Sequence, residues 1–170
     1  GQPWRIYGGI SFFQRKEVKD IVSYLKVIAN QDDSVSLKRI VNCPPRQIGA
    51  ATITRVENEA RKREESLYQT MKYIMKSSGY TNSLKDKISS FIIIIDGLID
   101  HKETPVPELI DLIYKKSGGL EWIGEDKADN LLALRKFSEG KDLKIFLDTA
   151  SLFSGLDENN SDDSVSLMTL

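Results

Sequence analysis

The sequence is poor in the residues that make chemistry. Its 170 residues include one cysteine, Cys43, and one histidine, His101. A single cysteine excludes an internal disulfide and suits a reducing compartment. One Cys and one His cannot assemble a structural zinc site. They also leave no Ser-His-Asp or Cys-His arrangement for nucleophilic catalysis. No glycine-rich loop ends in Gly-Lys-Ser or Gly-Lys-Thr, so a P-loop phosphate cradle is absent from the sequence. The carboxylate pairs Asp32-Asp33 and Asp162-Asp163 fall in polar stretches, where no apolar surroundings raise a pKa. The longest apolar run, residues 91–95, is far short of the roughly 20 residues a membrane-spanning helix needs. No basic-then-apolar leader opens the sequence, and the expectation is a cytoplasmic protein without catalytic residues, metal or cofactor of its own.

What is present is an ordinary globular composition. Hydrophobic residues make up 40% and charged residues 29%, enough for one domain over residues 1–170 with a real core. The net charge of −1 conceals a split. Residues 1–87 carry 16 Lys and Arg against 9 Asp and Glu, whereas residues 88–170 carry 8 against 16. The basic half suits a polyanion, and the acidic half faces elsewhere.

Periodicity predicts a mainly α-helical bundle with short strands at both termini. Ser11 and Gln14 fit a capping box. Beyond it Val18, Ile21, Val22, Leu25, Ile28 and Ala29 recur at helical spacing, giving one apolar face. Asp32, Asp33 and Ser34 offer a turn and an N-cap for a short helix through Val41, which Pro44 and Pro45 stop. A long helix is expected from just after Gly49 to about Arg63. Further helices are expected at 67–76, 84–101, 107–116, 128–137 and 143–153. Residues 157–163 (DENNSDD) read as a loose acidic loop. Residues 5–7 and 165–170 read as strands.

Two segments carry a resemblance. YGGISFFQRKEVKD, from Tyr7 to Asp20, resembles the entry into the accessory 2B subdomain of UvrD/PcrA/Rep-type superfamily 1 DNA helicases. VNCPPRQIGAAT, from Val41 to Thr52, is similar to the helix-hairpin-helix element with which that subdomain contacts duplex DNA. SVSLMTL, from Ser164 to Leu170, resembles the strand that leads into helicase motif V. The resemblance implies a 2B-like piece of a larger machine, with residues 1–9 and 164–170 as strand stubs of its RecA-like host domain. It further implies a parent that uses ATP and Mg²⁺ to translocate 3′ to 5′ in DNA repair or replication. The implied partners are double-stranded DNA at a single-strand/duplex junction, the host RecA-like domains and repair proteins.

For a helix-hairpin-helix the grip comes from backbone amides at a helix N-terminus, which suit phosphate oxygens and read little sequence. The resemblance places DNA contacts at Arg46, Gln47, Ile48, Gly49 and Thr52, with Ile48 as the core anchor and Arg46 as a charged phosphate contact. The family pattern is Gly-Ile-Gly, and this chain has Gln47 at the first position, where a positive φ would strain it. Gly8 and Gly9 are implied as the joint about which the subdomain swivels. Phe12, Phe13, Trp4 and Trp122 read as packing residues. Arg61, Lys62 and Arg63 are offset by Glu64 and Glu65 and read as a solvated helix end, whereas Lys72, Lys76, Lys85 and Lys87 are less compensated and fit a duplex track. The rival reading is a protein-interaction or autoinhibitory module with little DNA binding.

Overall fold

The computed structural model describes the backbone of residues 10–168 and the side chains of residues 11–119 and 121–155. After a 3-10 turn at Ile10–Gln14 come α1 (Lys16–Ala29), α2 (Ser34–Ile40), α3 (Ala50–Arg63), α4 (Leu67–Lys76) and α5 (Asn82–Ile99). They are followed by α6 (Val106–Lys116), α7 (Leu120–Ile123), a 3-10 turn at Glu125–Lys127, α8 (Ala128–Ser138) and α9 (Leu143–Met168). No strand occurs among the described residues.

Helix α1 is the axis of the fold. Its buried positions are not one face: Val18, Ile21, Val22, Leu25 and Ile28 are joined by Tyr24, Val27, Asp20 and Ser23. A helix buried nearly all round must be surrounded, and α2, α5, α6, α8 and α9 all pack on it. The burial of Asp20 is made tolerable by two cations: Lys16 Nζ lies 2.8 Å from one carboxylate oxygen and Arg39 Nε 3.1 Å from the other. Aromatic packing closes the N-terminal side. Phe13 stacks on Phe153 at 5.6 Å and meets Phe137 edge-on at 5.2 Å, so the first turn is pinned to α8 and α9.

Local chemistry explains the helix starts. Asp33 caps α2 by accepting from Ser36 N at 3.0 Å, and Ser66 and Thr81 cap α4 and α5 through Gln69 N and Leu84 N. The capping box at Ser11 and Gln14 does not form. Those residues lie in the 3-10 turn, and α1 begins after Arg15 without a side-chain cap.

The C-terminal segment departs from the sequence-based expectation. The loop expected at 157–163 and the described part of the strand expected at 164–170 are both helical, as the continuation of α9 through Met168. No Pro follows Gly155, so nothing in the covalent chain ends the helix. A lone strand has no neighbour for its amides and carbonyls, whereas a helix satisfies its own. Residues 1–9, with the expected strand there and the joint at Gly8 and Gly9, lie outside the described residues.

Candidate nucleic-acid interface

The turn between α2 and α3 is built from its own side chains. Asn42 is the staple: its Oδ1 accepts from Arg46 N at 3.2 Å and Ile48 N at 3.1 Å, and its Nδ2 donates to the Ile48 carbonyl. Ile48 is fully buried and anchors the turn in the core, as expected. The Cys43–Pro44 peptide is cis. A Cβ placed on Gly118 would sit 3.9 Å from Pro44 Cγ, so the turn rests against the link between α6 and α7.

Arg46 faces inward rather than toward solvent. Its Nη1 donates to the carbonyls of Ile40 at 2.9 Å and Val41 at 3.0 Å, and its Nη2 donates to the Tyr24 hydroxyl at 2.6 Å. The guanidinium also lies over the Phe91 ring, 5.2 Å from its centroid. It thereby satisfies carbonyls that the end of α2 leaves without a helical partner. The Tyr24 hydroxyl in turn donates to the Cys43 carbonyl, and its ring meets Trp122 edge-on at 5.5 Å. Burial pushes the Tyr24 hydroxyl above its ordinary value, with Arg46 pulling the other way. Burial also raises the Cys43 thiol, which keeps it from acting as a thiolate nucleophile near neutrality.

The outer rim of the turn is different in kind. Gln47, Gly49, Ala50 and Ala51 are exposed, and Thr52 is half-buried. Gly49 is the N-cap residue of α3, with extended backbone (φ −75°, ψ 177°) and no side-chain cap. The first helical bond runs from Ile53 N to Gly49 O at 3.1 Å, so the amides of Ala50, Ala51 and Thr52 precede it. No acidic residue stands in the first turn of α3 to compete for them. The result is an exposed, positively polarised helix end. A Cβ on Gly49 would meet nothing within 4 Å, so neither backbone conformation nor internal space demands glycine there.

Gln47 adopts φ +62°, the left-handed region where glycine is at ease and a side chain is not. Replacing Gln47 with glycine removes a steric cost of roughly 1–2 kcal/mol, partly offset by the greater freedom of glycine in the unfolded chain. The expected result in urea unfolding is a net gain of up to about 1 kcal/mol. A destabilised Gln47→Gly variant would mean that the glutamine side chain itself holds the turn.

The flanking cations sort themselves by partner. Lys72 is compensated, lying 3.4 Å from Asp96 and 4.8 Å from the centre of the Tyr68 ring. Contrary to the sequence-based expectation Lys72 is therefore compensated, because α5 folds back on α4. Lys76, Lys85 and Lys87 make no ion pair among the described residues. Arg61 and Arg63 are engaged by Glu57 and Glu65, and Arg63 stacks on Tyr73, which agrees with a solvated helix end. No group of three metal-binding side chains occurs among the described residues, and no helix there is long and apolar enough to cross a membrane.

Sequence reasoning missed Asn42 and Tyr24. For Asn42 a signal existed, because asparagine beside a proline turn is the residue type that bonds its own backbone. Tyr24 sits among apolar neighbours in α1 and gave none beyond the need of a buried hydroxyl for a partner.

Comparison with known proteins bears on the whole chain. The family model for the UvrD-like helicase C-terminal domain matches residues 1–92. DNA helicase II of Escherichia coli is 32% identical over 189 residues, an alignment that takes in 99% of this chain and 26% of that protein. DNA helicase II of Rickettsia typhi is 28% identical over 99% of this chain and 27% of its own length. The ATP-dependent DNA helicase PcrA of Staphylococcus aureus (strain COL) is 29% identical over 99% of this chain and 25% of its own. The chain thus spans a quarter or so of the length of these relatives.

Proposed function

The chain belongs to the UvrD-like helicase C-terminal domain family, and from that premise we propose that it is the duplex-contacting accessory subdomain of an ATP-dependent 3′-to-5′ DNA helicase. The observation that carries the reading is the exposed, uncapped N-terminus of α3, presented by a turn whose interior is fully braced. A phosphate oxygen fits the amides of Ala50, Ala51 and Thr52, and the missing side chain of Gly49 lets the strand approach. Gln47 is placed to add its own amide group. Arg46 acts from behind as the positioning residue that holds the turn in shape. Backbone recognition of this kind reads little sequence, as unwinding requires.

ATP and Mg²⁺ belong in this reading to the parent protein. The present sequence supplies no Gly-Lys-Ser or Gly-Lys-Thr loop to hold a triphosphate. The work of this chain is to hold the duplex ahead of the junction and to couple that hold to its orientation on the host domains, with Gly8 and Gly9 as the joint.

Fluorescence anisotropy with a labelled duplex bearing a 3′ single-stranded tail tests the reading across a salt series. With two of Lys76, Lys85 and Lys87 on backbone phosphates beside the amide grip, affinity is expected to fall about tenfold between 50 and 200 mM salt. Absent or salt-indifferent binding would sink the duplex grip and favour a partner-docking or autoinhibitory module.

A further inference from the structure

A cleft on a different face of α1 from Tyr24 and the hairpin turn gathers basic side chains. It encloses about 370 Å³ between the 3-10 turn at Ile10–Gln14, α1, α2 and the middle of α9. Lys19, Ser23 and Lys26 stand at i, i+4 and i+7 on α1 and so line it in one row. Arg39 enters from α2, and Ser154 with Gln14 closes the far side. Three cations face this space, and no carboxylate among the described residues lines it.

The larger cleft, about 660 Å³ between the α5–α6 link and the α8–α9 turn, is lined by three lysines and three carboxylates. Its charges cancel. In the smaller cleft they do not: Lys19 and Lys26 are half-buried and have neither ion pair nor hydrogen bond among the described residues. Arg39 gives only its Nε to Asp20, which leaves both terminal amino groups of its fork without a partner there. The hydroxyl of Ser23 is likewise unengaged. The half-buried charges of Lys19 and Lys26, unlike that of Arg39, have no carboxylate beside them among the described residues, and an anion in the cleft would relieve their repulsion. Lysine ammonium groups, an arginine fork and a serine hydroxyl together form a donor set matched to a phosphate group.

We propose that this cleft is a phosphate-binding site separate from the hairpin turn, taking either a backbone phosphate of DNA or a free oligophosphate. Lys19 and Lys26 supply the charge, Arg39 the planar fork, and Ser23 a neutral donor between them. The site does not depend on the hairpin reading, since no residue is shared.

Amide NMR of the 170-residue chain, titrated at constant ionic strength, tests the site with sodium pyrophosphate and with a short duplex as separate probes. Pyrophosphate is expected to shift the amides of Ser23, Lys26 and Arg39 saturably, in wild type and in a Gly49→Asp variant alike. Lys19→Gln and Lys26→Gln, singly and together, are expected to abolish that shift; both side chains are half-exposed, and unchanged melting curves verify the fold. If the occupant is a DNA phosphate, the same substitutions also flatten the salt dependence of duplex binding by about 0.9 for each lysine. If it is a free oligophosphate, duplex binding is unchanged while pyrophosphate binding is lost. Failure of both probes to shift these amides, or shifts that persist in the double variant, would overturn the proposal.

Discussion

Arg46→Ala is expected to lower the stability of the domain by about 3 kcal/mol, because it strands the Ile40 and Val41 carbonyls and the Tyr24 hydroxyl together. For a chain of this length that corresponds to a fall of roughly 6–12 °C in Tm. The cation over Phe91 is lost as well. Arg46→Lys does not rescue the loss, since one ammonium group cannot reach three acceptors in three directions while lying flat on a ring. Thermal unfolding followed by circular dichroism measures this directly. A melting temperature within a degree or two of wild type would show that the inward contacts carry little weight. The Arg46 guanidinium would then be available to a phosphate after all. Loss of DNA affinity in an Arg46→Ala protein reports a damaged turn before it reports a lost contact.

Gly49→Asp is expected to move stability and binding in opposite directions. At the N-cap position with extended backbone, an aspartate accepts from the free amides and complements the helix dipole, so α3 gains several tenths of a kcal/mol or more. Nothing within 4 Å obstructs the new Cβ. The same carboxylate occupies the proposed phosphate position and repels what should bind there. Loss of charge-assisted amide–phosphate bonds predicts a fall in duplex affinity of about 30- to 100-fold. Gly49→Ser separates the two causes, since a hydroxyl fills the amides without repelling phosphate and should give an intermediate affinity. Urea unfolding and anisotropy on the same preparations read both quantities. Gly49→Asp protein that binds duplex as wild type does would rule out the N-terminus of α3 as the grip.

The two variants are complementary because the turn has an inside and an outside. Asn42, Arg46, Ile48 and Tyr24 form the inside, where hydrogen bonds and burial decide stability. Gln47, Gly49, Ala50 and Ala51 form the outside, exposed and, at Gly49, with open space where a side chain would stand. Only the outside is free to serve a ligand. Gln47 sits at the boundary, exposed yet in a left-handed conformation that its own side chain opposes. The sequence raised that possibility by showing glutamine where the resembling pattern has glycine, and the structure gives it an angle.

The helical class, the starts of α2 and α3, and the packing roles of Phe12, Phe13, Ile48 and Trp122 were determined by sequence alone, because caps, prolines and apolar spacing act over a few residues. The mainly helical bundle and the amide-bearing end of α3 follow from the same local rules. Tertiary structure decided what local rules cannot reach. A guanidinium beside a glycine turn reads equally well as a DNA contact or as a brace, and only the approach of Tyr24, Phe91 and the end of α2 turns Arg46 inward. Likewise Lys72 finds Asp96 across 24 positions of sequence, whereas Lys19 and Lys26 find no carboxylate among the described residues. The continuation of α9 through 157–168 was also beyond composition, because a polar stretch without proline is free to be loop or helix. Charge, unlike backbone conformation, acts through space, and which charges meet is settled only when the helices have packed.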